Sequence, residues 1–154
     1  VAYTGACGLS HYKNFGNKTF IKSTIASTAY DATYDENYMT DSLKEIDNTY
    51  IKTLSGKFIV STYINHKFNS KLVNRTGITA NNLFYKLKLN SLIDHKLPMN
   101  TLLDDKGQNM LIQTYSQWKY NLTDMLVLNG GVYSQYFALN GNKTLEPRAA
   151  IKST

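Results

Sequence analysis

The chain has 154 residues, enough for one ordinary core, and a formal charge of +6 from 17 lysines and arginines against 11 acids. No window approaches about eighteen consecutive apolar residues, which excludes a transmembrane helix, and the single cysteine, Cys7, excludes an internal disulfide and a thiolate metal cluster. Tyr, Thr, Ser, Asn and Lys are abundant and only two prolines occur, a mix that suits strands and polar turns better than helices.

Period-two alternation marks the strands. The first is expected over 1–13, with Cys7 as a small strand residue, and a short turn at Phe15-Gly16-Asn17 leads to a second over 18–32. There Ile21 and Ile25 alternate with Lys22, Thr24 and Ala26. A long loop over 33–55 follows, in which Ser42-Leu43-Lys44-Glu45 has capping-box spacing and predicts a turn or two of helix. The third strand, 56–68, sets Phe58, Val60, Thr62 and Ile64 against Ile59, Ser61, Tyr63 and Asn65. Phe68-Asn69-Ser70-Lys71 turns the chain into a fourth strand over 71–86.

A second long loop over 87–108 carries a weaker helix start at Ser91-Leu92-Ile93-Asp94, which Leu97-Pro98 should stop. Strands over 109–121 and 125–138 flank the turn Leu122-Thr123-Asp124. In the latter, Leu126, Leu128, Gly130 and Val132 oppose Val127, Asn129, Gly131 and Tyr133. A short Asn-Gly connection at 139–144 precedes a seventh strand from 146. Phe15, Phe68 and Leu122 fall 53 and 54 residues apart. Two strands of about 14 residues, a turn of about four and a loop of about 20 give that repeat. The expected fold is therefore all-β: an antiparallel up-and-down meander of about seven long strands, a single segment over 1–154, forming part of a transmembrane β-barrel.

Aromatic residues recur in two bands, beside the short turns (Tyr12, Phe15, Phe20, Phe68, Trp118, Tyr120) and further along the strands (Tyr30, Tyr34, Phe84, Tyr85, Tyr133, Tyr136, Phe137). Bands roughly 25 Å apart on tilted strands match the girdles of an outer-membrane barrel. The lysines sit beside turns (Lys13, Lys18, Lys67, Lys71, Lys119, Lys143) and read as solvated strand ends.

From Trp118 to Thr154, WKYNLTDMLVLNGGVYSQYFALNGNKTLEPRAAIKST, the chain resembles the barrel of TonB-dependent outer-membrane receptors of the Bacteroidetes type. An aromatic-basic strand end, a short Asn/Asp turn, a strand running into Gly130-Gly131 and Tyr136-Phe137, and Glu146-Pro147-Arg148 carry the likeness. Tyr34–Thr53 is similar to extracellular loops of such receptors. The resemblance implies a barrel of about 22 strands around a plug, in the outer membrane of a Gram-negative bacterium. Its implied partners are lipid, the rest of the barrel and plug, and the TonB complex. The implied function is active uptake of a small-molecule, glycan or peptide nutrient. No plug, TonB box or terminal Phe/Trp strand is found, and both termini read as cut, so the chain is expected to be a middle section of the barrel.

Catalysis, cofactors and metals are not expected. His11, His66 and His95 lack metal spacing, and no nucleophile elbow, phosphate-cradling Gly loop or HExxH occurs. Loops on a rigid scaffold collect binding residues. The ligand-facing candidates are therefore Tyr34, Asp35, Glu36, Tyr38 and Asp41 in the first long loop, and Asp94, His95, Asp104 and Asp105 in the second. The competing readings are a small complete outer-membrane barrel and a soluble β-sheet ligand-binding module. Nucleic-acid binding ranks last, for want of a recognisable module.

Overall fold

A computed structural model describes residues 1–40, 42–92 and 99–153. Seven strands, β1 (Ala2–Phe15), β2 (Thr19–Met39), β3 (Glu45–Lys67), β4 (Leu72–Ser91), β5 (Asn100–Asn121), β6 (Leu126–Phe137) and β7 (Asn142–Ser153), form one antiparallel sheet in sequence order. Among the described residues there is no helix. The all-β meander is thus as expected.

The long loops are not. β2 and β3 run to 21 and 23 residues, the one ending at Met39 and the other beginning at Glu45, so most of 33–55 is strand. β4 reaches Ser91 and β5 begins at Asn100, so most of 87–108 is strand as well. Polar residues on both sides of these extensions erase the apolar–polar period, yet the ladder continues because Tyr and Thr favour strands and the backbone pairing needs no apolar face. Ser42–Glu45 caps no helix. Leu43 takes a left-handed φ of 59°, the Thr40 hydroxyl accepts from the Lys44 amide at 3.1 Å, and Glu45 opens β3. A helix of one or two turns costs more to nucleate than it returns, whereas the hairpin ladder is already in place. Asp94, His95, Leu97 and Pro98 lie outside the described residues, and Ser91 is the last residue of β4. β7 starts four residues earlier than expected.

The short turns are closed by side chains. The Asn69 Oδ1 accepts from the amides of Lys71 and Leu72, both at 2.9 Å. The Thr123 Oγ1 accepts from Leu126 at 3.0 Å, and the Asn140 Oδ1 from Asn142 at 3.0 Å. Such local acceptors are why Asn and Thr recur in turns. Gly16 and Gly141 supply φ of 69° and 68°, which a side chain would resist.

The strands fall into two compact units. The first comprises Val1–Cys7, Ser27–Lys57 and Leu83–Gln108; the second comprises Gly8–Ala26, Phe58–Asn82 and Asn109–Thr154. In the first, the terminal ammonium of Val1 donates to the Thr33 carbonyl at 2.7 Å, and the Asn37 amide donates to Glu45 across the hairpin at 2.8 Å.

In the second unit the register sorts side chains onto two faces. Tyr115 pairs with Tyr133 and Tyr133 with Glu146; Gln117 pairs with Gly131 and Gly131 with Arg148. These share a polar face with Arg75, Asn81, Tyr63 and Phe20, which contact them or one another. The opposite, apolar face carries Trp118, Tyr120, Val132, Leu145 and Ile151, joined through cross-strand contacts by Ile21, Ile64 and Phe68. The expected alternation in 56–68 and 125–138 holds.

No described apolar residue is buried; the two buried polar side chains are Asn74 (8% exposed) and Asn81 (9%). With no apolar core, the ladder is supplemented by cross-strand pairs such as Ser23–Thr62 at 3.0 Å and Thr76–Ser116 at 2.9 Å, worth roughly 0.2–1 kcal/mol each. The aromatic band beside the short turns divides between the faces. Phe68 stacks on Trp118 at 5.6 Å on the apolar face, whereas Tyr12, Phe20 and Tyr63 cluster on the polar one. Composition alone gives a band; parity decides which of the two faces each residue takes.

Candidate functional site

The most developed site lies on the polar face of the second unit, where Gly131 leaves a gap in a row of side chains. Gln117, Gly131 and Arg148 stand side by side on β5, β6 and β7. On β4, the Asn74 amide reaches the Gln117 carbonyl at 3.1 Å, which sets the neighbouring Arg75 beside Gln117. A Cβ on Gly131 would come within 2.7 Å of the Ser116 carbonyl oxygen, so this position accepts no side chain without moving the ladder. The result is an open depression of about 760 Å³ lined by Arg75, Tyr115, Gln117, Lys119, Tyr133 and Arg148 among others.

Both arginines are held. The Arg75 guanidinium lies over the Tyr63 ring at 4.9 Å, and that of Arg148 over the Tyr133 ring at 5.2 Å. Arg148 also donates to Glu146 at 2.8 Å. The Tyr133 hydroxyl accepts from the Gln113 amide at 2.5 Å and donates to Gln135 at 3.4 Å, which fixes its ring. Tyr115 covers Gly77, where a Cβ would meet its ring at 2.8 Å. Cation–π contacts of this kind contribute about 0.5–1 kcal/mol at exposed sites, enough to bias a rotamer.

The charge is one-sided. Lys22, Lys119 and Lys152 share the face with the two arginines, against one carboxylate, Glu146. Among the described residues no carboxylate forms an ion pair with Arg75 or Lys119. Chemically the arrangement offers N–H donors and positive charge, with no activated nucleophile. Cys7 is free and exposed. His66 is occupied by a 2.6 Å hydrogen bond to Thr19 and an edge contact with Phe68 at 4.4 Å, a structural engagement.

The sequence-based candidates are located elsewhere. Tyr34, Asp35, Glu36 and Tyr38 lie on the C-terminal stretch of β2, and Asp104 and Asp105 near the start of β5, on strands instead of loops. Asp41, Asp94 and His95 lie outside the described residues. In the first unit Asp105 meets Tyr85: the phenol donates to its carboxylate at 2.8 Å, and that hydrogen bond and charge hold the Tyr85 pKa above its ordinary value. Among the described residues no group of His, Cys, Asp and Glu is placed to hold a metal ion. Arg75, Lys119 and Arg148 are not among those candidates, because lysines beside turns such as Lys119 read as solvated strand ends and nothing in the sequence brings the two arginines together. Parity carries the missing signal: Glu146 and Arg148, two apart on a strand, must share a face, and so must Gly131 and Tyr133.

Comparison with known proteins finds no protein family whose pattern the chain matches, and no curated protein to which it is similar in sequence.

Proposed function

We propose that the chain forms part of the wall of a transmembrane β-barrel, that of a TonB-dependent outer-membrane receptor for active nutrient uptake. One observation carries the barrel reading: the second unit sets an exposed apolar face against a cationic polar face, with no apolar residue buried. Ile25, Phe58, Val60, Ile64, Ile78, Val132, Leu145 and Ile151 are between 39% and 74% exposed. Burying a large apolar side chain fully is worth about 1.5–3 kcal/mol. Eight side chains at half exposure therefore leave roughly 6–12 kcal/mol unclaimed, as much as holds a whole domain together. Lipid claims it.

Strand segments of roughly ten residues, such as Phe58–Lys67, suit a tilted crossing. Trp118, Tyr120 and Phe68 at one end of the apolar face suit the headgroup level. The receptor part rests on the resemblance of Trp118–Thr154, with Glu146-Pro147-Arg148 its most specific element.

The test is fractionation of the Gram-negative cells that make the polypeptide, using an antibody raised against the peptide Tyr34–Thr53. The expected result is recovery in the outer membrane, release by detergent but not by high salt, and a mass several times 17.4 kDa. Recovery in the soluble fraction would overturn the barrel reading in favour of a soluble sheet module. A membrane protein of about 17.4 kDa would overturn the receptor reading and leave a small complete barrel.

A further inference from the structure

We propose that the depression floored by Gly131 is an oxyanion-binding site, in which Arg75 and Arg148 clasp a carboxylate or phosphate group of a free ligand and Lys119 adds a third positive charge. The inference goes beyond the receptor reading, which names no cargo, and it stands on the second unit's own geometry.

Three features distinguish this place from a merely basic surface. First, Arg75 and Arg148 line one depression, and the backbone itself keeps its Gly131 floor open, since even a methyl group there would collide with the Ser116 carbonyl. With neighbouring strands about 4.8 Å apart, the row from Gln117 across Gly131 to Arg148 is wide enough for a carboxylate or phosphate, with the Gln117 side chain, whose Cγ lies 3.4 Å from where a Gly131 Cβ would stand, bordering the gap on one side. Second, both guanidiniums lie on tyrosine rings, at 4.9 and 5.2 Å, so their forks are partly ordered before a ligand arrives. Ordering that is already present need not be supplied by binding. Third, the donors are unbalanced. Arg148 spends one terminal nitrogen on Glu146, and Arg75 and Lys119 have no carboxylate partner among the described residues. The guanidinium fork matches the two oxygens of a carboxylate or phosphate, and such charge-assisted pairs are about twice as strong as neutral hydrogen bonds. Glu146 sets a limit: its own charge disfavours a ligand that reaches past Tyr133, so the site suits a small terminal group.

The experiment is a calorimetric titration of the full native protein, in detergent and at constant ionic strength, with inorganic phosphate and separately with citrate. Saturable binding of either is expected; phosphate binding more tightly marks a phosphate-bearing ligand, and citrate a carboxylate-bearing one. Arg75→Gln and Arg148→Gln should each weaken binding about tenfold, and Lys119→Gln, the loss of a screened point charge, about two- to threefold. Lys22→Gln, on the same face but away from the gap, should leave it unchanged. Arg75 has no ion pair to lose, so Arg75→Gln is the variant expected to keep its unfolding midpoint. Should Arg148→Gln fail to fold, Arg75→Gln and Lys119→Gln decide. No saturable binding of either probe, or equal weakening by Lys22→Gln, would overturn the proposal.

Discussion

Gly130 and Gly131 are neighbours on β6, and alanine should act on them in opposite directions. Neither has a positive φ, so backbone conformation does not separate them. At Gly131 the new Cβ would lie 2.7 Å from the Ser116 carbonyl oxygen and 3.3 Å from the Gln117 Cα, both on the paired strand β5. No side-chain rotation relieves a collision with backbone, so the β5–β6 ladder must open. Overpacking of this kind costs about 1–3 kcal/mol, of which about 0.4–1 kcal/mol is offset because alanine restricts the unfolded chain. The net expectation is a loss of about 1–2 kcal/mol. At Gly130, on the other face, nothing lies within 4 Å of the new Cβ, so only the second effect acts and stability rises by about 0.4–1 kcal/mol. The two variants should therefore differ by about 2 kcal/mol, with opposite signs. Denaturant unfolding of both in the same detergent, with the midpoint as readout, measures this. A Gly131→Ala midpoint equal to or above that of Gly130→Ala would refute the register and the floor of the depression together.

Asn74 is buried on the apolar face, where its amide donates to the Ser116 hydroxyl at 3.2 Å and the Gln117 carbonyl at 3.1 Å, while Thr76 donates to its Oδ1 at 2.9 Å. Asn74→Ala should lower the unfolding free energy by about 1–3 kcal/mol, and an unchanged denaturation curve would contradict those bonds. Tyr85 should ionise above the ordinary phenol range, because its neutral form donates to Asp105. Asp105→Asn should bring that ionisation down toward the ordinary value, seen by comparing the alkaline absorbance titration with that of a Tyr85→Phe control. The sign follows from a folded-state pKa that is raised: the contribution is fully present below the unfolded phenol pKa and is lost as pH climbs through the higher folded value.

The fold was legible where one face differs from the other. Phe58–Asn65 and Leu126–Tyr133 alternate apolar and polar residues because the two sides of those segments meet different surroundings, and the structure keeps that parity. It was illegible along Thr33–Met39, Glu45–Ser55 and Asn100–Gln108, where both sides are polar and the period vanishes although the ladder does not. The capping-box spacing at Ser42–Glu45 misled for the same reason. A local helix signal of a few residues competes with a hairpin ladder that extends for a dozen on either side, and the cooperative ladder wins.

The sequence by itself determined the strand order, the sites of the short turns and the alternation of the central segments, since turn chemistry and side-chain parity are local properties of a chain. Only the tertiary structure decided that Arg75, Lys119 and Arg148, far apart in the chain, come to line one gap. Their meeting depends on the register of β4 through β7, and register is set by cross-strand hydrogen bonds that no single segment contains.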